Sequence, residues 1–139
     1  MLFRSIRAKL GATKDGTLVA AQLWMAYEAG AFPGSSVGGG MNTVLGPYNI
    51  PNVKIDGYDV VVNRPRNAGY RAPGVPGPTY AIESLIDEIA ERLDMDPMAL
   101  RMQNASVEGT VRPNGTRLDR KSTRLNSSHM SESRMPSSA

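Results

Sequence analysis

The chain has 139 residues, enough for one domain with a modest core, and carries 16 basic against 13 acidic side chains. Four of the basic and two of the acidic residues lie at or beyond Asp119, which leaves 12 against 11 in residues 1–118 and no basic footprint for nucleic acid. Cysteine is absent and the one histidine is His129, so residues 1–118 contain no disulfide, thiolate nucleophile, imidazole metal ligand or Ser-His-Asp triad.

Ser5 to Leu10 alternates apolar and polar residues, which predicts a strand with Ile6, Ala8 and Leu10 on one face. Asp15-Gly16 between two extended runs signals a hairpin, because glycine accepts the positive φ that the turn requires. Thr17 to Tyr27 is then the returning strand. Its Ala20, Ala21, Gln22 and Leu23 also favour a helix, and the turn decides for the strand. Trp24 and Tyr27 are expected to pack on the sheet. Residues 30–40 hold five glycines and Pro33, which predicts a loop with little side chain to bury. An extended connector follows through Tyr48 and Pro51. Val53 to Asn63, rich in β-branched and aromatic residues, is either a strand pair or one long kinked strand.

From Pro78 to Leu93 the set Ile82, Leu85, Ile86, Ile89, Ala90 and Leu93 recurs at three- and four-residue steps and predicts an amphipathic helix. Glu83, Asp87, Glu88 and Glu91 lie largely off that stripe and read as a solvated face, with Glu83 the best placed to pair with an arginine. Asp96-Pro97 opens a second helix as N-cap and first helical residue, ending near Asn104. Met95, Met98 and Met102 are expected on its core face, and Arg101 either clamps the two helices together or is simply exposed. The fold class is α+β: an N-terminal β-hairpin, extended Gly/Pro-rich loops and two C-terminal helices, the hairpin belonging to a sheet completed by partners outside the chain.

Residues 119–139 show no periodicity and are dominated by Ser and Arg. They match one reading frame of a common sequencing adapter, whose codons GAT, CGG, AAG and AGC spell Asp119 to Ser122. The expected division is therefore a natural part, 1–118, cut short at Leu118, and a disordered artefact, 119–139. No apolar run approaches the roughly 20 residues of a membrane span. Met1 to Arg4 lacks the features of a signal peptide.

Chemistry is concentrated in Asn67-Ala-Gly69-Tyr70-Arg71-Ala72-Pro73-Gly74-Val75-Pro76, directly before the first helix. Glycine permits close approach of the backbone to a ligand, and a loop feeding a helix N-terminus offers unpaired amides to an anion. On these residues alone, an oxyanion or phosphate site and a purely structural turn with a solvated arginine both remain open. A further alternative is a small α+β interaction module whose Arg64, Arg66 and Arg71 bind an anionic partner.

The ordered set Gly46-Pro-Tyr48-x-Ile-Pro51-Asn-Val53, Gly69-Tyr-Arg71-Ala-Pro-Gly74, Ala81-x-Glu83-Ser-x-x-Asp87-Glu88-x-Ala90 and Asp96-Pro97-x-x-Leu100-Arg101-x-x-Asn104 resembles the large subunit of the xanthine dehydrogenase/aldehyde oxidase family, the molybdenum hydroxylases. Lys14-Asp-Gly16 and Glu28-Ala-Gly30-Ala-Phe32 fit the same pattern. The resemblance covers nearly all of residues 5–110 and makes residues 1–118 part of a molybdopterin-binding domain. It implies oxidative hydroxylation of an electron-poor carbon with oxygen from water, at molybdenum held by a pterin dithiolene, with a glutamate as base.

By that resemblance Tyr70, Arg71, Ala72 and Gly74 bind the cofactor, with the amides of Arg71 and Ala72 toward the metal's sulfur and oxygen ligands. Pro73 walls the substrate pocket. No catalytic residue and no direct metal ligand is assigned within the chain; the glutamate and a further glycine-rich cofactor loop lie elsewhere. The cofactor is molybdenum–molybdopterin, the cytosine dinucleotide form being one option, with iron–sulfur clusters and FAD on other domains or subunits as redox partners. Purine-oxidising members carry an aromatic residue where this chain has Pro73, and an arginine where it has Gly39. An aldehyde or an aromatic N-heterocycle is thus the expected small-molecule substrate. The expected setting is cytoplasmic, a periplasmic parent being the other option, with the chain inactive alone.

Overall fold

A computed structural model describes residues 4–69 and 71–119. Apart from Asp119, the segment read as an artefact lies outside the described residues, and so does Tyr70.

β1 (Arg4–Ala12) and β2 (Leu18–Gly30) form the expected antiparallel hairpin, in the register Arg4↔Tyr27 to Leu10↔Ala21. The turn is closed by Thr13 N donating to Thr17 O at 2.9 Å and Gly16 N to Thr13 O at 3.0 Å, with Gly16 at φ 86°. The strand reading of residues 17–27 holds because Leu18, Ala21, Leu23, Met25 and Tyr27 are all buried in the sheet. Here burial against neighbouring strands outweighs the helical preference of single residues.

Between β2 and β3 the expectation of a plain loop is corrected. Val37–Thr43 is a short helix, α1, built through Gly38, Gly39 and Gly40. Glycine disfavours helix, so tertiary packing must select it; Gly40 is buried beneath the turn at Gly74. β3 (Asn52–Val61) is one strand rather than a pair, and it runs parallel to β2 in a sheet of order β1-β2-β3. A third strand of the sheet thus comes from within the chain.

α2 (Pro76–Leu93) starts one residue pair earlier than the apolar stripe suggests and lays Ile82, Ile86 and Ala90 against the sheet. Burying an isoleucine side chain contributes roughly 1.5–3 kcal/mol, so this stripe anchors the helix. The helix ends at Asp94, left-handed at φ 53°, with Met95 N donating to Ala90 O at 2.9 Å. α3 (Pro97–Gln103) follows as expected, its first turn capped by Asp96 Oδ2 accepting from Ala99 N at 2.8 Å. Leu18, Leu23, Val44, Leu45, Tyr48, Ile50 and Leu100 complete the core.

The methionine expectation holds only in part. Met95 packs against the core, but Met98 and Met102 are 63% and 71% exposed. A helix of two turns buries one narrow stripe, and Leu100 occupies it. Trp24 packs at 5.7 Å from Tyr58, with the Arg7 guanidinium 5.3 Å above its ring.

Candidate functional site

The last residues of β2 shape the loop that follows β3. The strand register skips one residue between Glu28, opposite Val60, and Gly30, opposite Val61, which marks a bulge at Ala29. Ala29 O accepts from Asn67 N at 3.0 Å, and Glu28 O accepts a short bond from Asn67 Nδ2. Val62 N donates to Gly30 O and Ala31 N to Arg64 O, both at 2.9 Å. One residue before Glu28, the Tyr27 hydroxyl donates to Gly74 O at 2.9 Å in a buried contact.

Between these attachments the chain makes a strained turn. Ala72 sits at φ 52°, a conformation costly for a residue with a Cβ, and Val75 N donates to Ala72 O at 3.2 Å. Gly74 is buried at φ 79°, and a Cβ there would lie 1.9 Å from Ser36 O. Only glycine fits. Among the described residues, the main-chain amides of Arg71 and Ala72 donate to no acceptor.

The N-terminus of α2 contributes less than the sequence suggests. Pro76 and Pro78 have no N–H, and Thr79 N already donates to Val75 O at 3.2 Å. Of the first three helical residues only Gly77 keeps an N–H, so the helix offers a ligand fewer donors than the sequence suggests.

Arg71, Ala72 and Pro73 are exposed and Gly74 is buried; Tyr70 lies outside the described residues. Pro73 borders a cleft of about 220 Å³ shared with Tyr27, Ser35, Ser36, Asn67 and Gly69. On its other side Pro73 meets α1. A Cβ on Gly39 would lie 2.6 Å from Pro73 O, so a side chain at position 39 requires the turn to move. Of the three arginines named for an anionic partner, one already has an acidic neighbour. Arg64 pairs with Glu28 at 3.5 Å, and Glu28 is only 6% exposed. Among the described residues no cluster of three His, Cys, Asp or Glu side chains could hold a metal ion.

The four acids of α2 do no work in this loop. Glu83 instead forms the pairing foreseen for it. Its Oε2 accepts from Arg101 Nε at 2.9 Å and its Oε1 from the Tyr48 hydroxyl at 2.7 Å, while Arg101 Nη1 reaches Asp87 Oδ1 at 2.8 Å. Arg101 therefore clamps α3 to α2, and its neighbouring carboxylates, Asp87 first, push its pKa further up. Burial, then the bond to Glu83, holds the Tyr48 hydroxyl far above the ordinary phenol range, so it remains a donor.

Sequence reasoning missed three polar residues. The sequence marks Asn104 only as a helix end; in the structure it ties α3 to the hairpin, Oδ1 accepting from Leu18 N at 2.8 Å and Nδ2 donating to Gly16 O at 2.9 Å. The sequence suggests only packing for Tyr27 and no separate role for Asn67. A buried tyrosine hydroxyl generally needs an acceptor, which was the one available signal for Tyr27.

Residues 4–105 match the family described as the molybdopterin cofactor-binding domain. The chain is 35% identical over 120 residues to the nicotinate dehydrogenase large molybdopterin subunit of Eubacterium barkeri, covering 83% of this chain and 28% of that protein. It is 35% identical over 116 residues to the aldehyde oxidoreductase of Megalodesulfovibrio gigas, covering 79% of this chain and 12% of that protein. The solved aldehyde oxidoreductase from Desulfovibrio gigas superposes with a TM-score of 0.74 at 30% identity, over 92% of this chain and 15% of that one. The chain thus spans between 12% and 28% of the length of these relatives.

Proposed function

The chain belongs to the molybdopterin cofactor-binding domain of molybdenum hydroxylase large subunits, whose cofactor is molybdenum–molybdopterin, and from that premise we propose that its 67–74 turn is one wall of the cofactor site. When bound, the cofactor supplies the redox centre at which an electron-poor carbon is hydroxylated with oxygen from water. This chain contributes positioning. The carrying observation is the pair of unclaimed amides at Arg71 and Ala72, exposed on a turn whose backbone is packed tightly at Gly74. Rigid main-chain donors that lack a partner in the protein suit the anionic sulfur and oxygen groups around such a centre. Gly74 shapes the same turn, and Arg71 adds a permanent positive charge beside it; Tyr70 is proposed as a cofactor contact by resemblance to the family.

The substrate is an aldehyde or an aromatic N-heterocycle. Pro73 offers no aromatic ring for purine stacking, and position 39, where purine-oxidising members carry an arginine, is a glycine whose Cβ would press on Pro73 O. Residues 1–118 form part of the cofactor domain and 119–139 are not native protein. The complete enzyme supplies the base and passes electrons through iron–sulfur and flavin partners, so this chain alone is inactive. No helix among the described residues is long and apolar enough to cross a membrane.

The test is made in the full-length enzyme carrying this domain. Arg71→Ala is expected to reduce turnover of a benzaldehyde or N-heterocycle substrate at least about tenfold while the melting temperature stays within about 2 °C. Equal proportional loss of both would assign Arg71 to structure, and faster turnover of xanthine than of either other class would overturn the substrate assignment.

A further inference from the structure

Three consecutive residues of β2 hold both ends of the 67–74 turn. At the upstream end, the bulge takes Ala29 out of the strand ladder, and its carbonyl, with that of Glu28, receives the two donors of Asn67. At the downstream end, the Tyr27 hydroxyl bonds Gly74 O. Tyr27 is itself fixed: it is 1% exposed, and the Arg4 guanidinium lies 5.2 Å from its ring centroid. The two unclaimed amides lie between the attachment points. We infer that Tyr27 and Asn67 are positioning residues that hold the Arg71 and Ala72 amides in their ligand-ready arrangement, and so set how firmly the cofactor is retained. This rests on the reading of the turn as a cofactor wall.

The physical reason is preorganisation. A turn whose ends are fixed before a ligand arrives need not be ordered by it, and the ligand leaves more slowly. Neither side chain is required to touch the cofactor. A bulge at the end of a buried strand is also a recurrent means of re-aiming backbone beside a functional site. The bulge here turns a carbonyl that the ladder would have used toward the loop.

Two conservative variants of the full-length enzyme test the inference. Tyr27→Phe keeps the buried ring and its contact with Arg4 but removes the hydroxyl; Asn67→Asp keeps the shape and the main-chain bond but removes the side-chain donor. Asn67→Ser carries the second arm if Asn67→Asp does not fold. Loss of molybdenum, by elemental analysis, and of pterin, by fluorescence after oxidation, is followed over time from the purified holoenzyme. Each variant is expected to lose both together about tenfold faster than the parent. Ile86→Val, a core change away from the turn, serves as a control for general destabilisation and is expected to lose them at the parental rate.

Release within twofold of the parent in both variants overturns the inference, as does release no faster than in Ile86→Val at the same fall in melting temperature. Gly74→Ala separates this failure from failure of the underlying reading, because its Cβ must displace the turn from Ser36. If Gly74→Ala accelerates release and the two variants do not, only the positioning role fails. If Gly74→Ala also retains the cofactor like the parent, the turn is not a cofactor wall.

Discussion

Asn104→Ala should be the most damaging conservative change outside the apolar core. Asn104 is 4% exposed, and its amide group satisfies Leu18 N, Gly16 O and Leu100 O at 2.8, 2.9 and 2.9 Å. Leu100 O keeps a bond from Asn104 N at 3.3 Å, so truncation strands two main-chain groups. An orphaned buried donor or acceptor costs about 1–3 kcal/mol, which places the loss at roughly 4 kcal/mol. A domain of this size has about 5–15 kcal/mol in total, so the substitution removes a large part of it. At about 4–8 °C per kcal/mol, the melting temperature should drop by roughly 15 °C or more. Urea and thermal unfolding of the chain, followed by far-UV circular dichroism, measure both quantities. Gln103→Ala is the internal control: Gln103 Nε2 bridges the same elements, bonding Asp15 O at 3.0 Å, but it is exposed and should cost no more than about 0.5 kcal/mol. An Asn104→Ala loss below about 1 kcal/mol, or one equal to that of Gln103→Ala, would refute the idea that burial makes these bonds count.

Asp94→Gly should stabilise the chain by about 0.5 kcal/mol, read as a higher urea midpoint, because Asp94 sits left-handed at φ 53° where glycine carries no Cβ penalty and gives back part of the gain in unfolded-state entropy. A lower midpoint would show that the Asp94 side chain stabilises the helix end. The corner at residues 34–35 should loosen in acid. Asp59 accepts from the Ser35 hydroxyl, and from the amides of Gly34 and Ser35 at 2.8 and 3.2 Å, and these bonds, the hydroxyl first, hold its carboxyl below the ordinary carboxylate range. A depressed folded pKa contributes stability above the unfolded pKa and loses it as pH falls through the folded one, so amide exchange at Gly34 and Ser35 should rise below about pH 4. Asp59→Asn should abolish that step, and a step that persists in it would assign the effect to another group.

The elements read correctly from sequence are those built from near neighbours. Asp15-Gly16 closes its own turn, Asp96 caps a helix three residues on, and the Ile82–Ile86–Ala90 stripe repeats at helical spacing. The Glu83–Arg101 clamp could be foreseen as an option because the two residues belong to adjacent helices. The site was legible only through the ordered motif around Arg71, since a Pro/Gly-rich turn alone fits many roles.

Local sequence thus determined the hairpin, the apolar stripe of α2 and the Asp96-capped start of α3, because those depend on hydrogen bonds and side-chain spacing within a few residues. Tertiary structure alone decided the parallel pairing of β3, the glycine helix α1, the exposure of Met98 and Met102, and the attachments of Asn104, Tyr27 and Asn67. Those last bonds join atoms 86, 47 and 39 residues apart, and nothing in a local pattern says which distant carbonyl or amide a polar side chain will meet. Packing brings the partners together, and burial then makes each bond costly to lose.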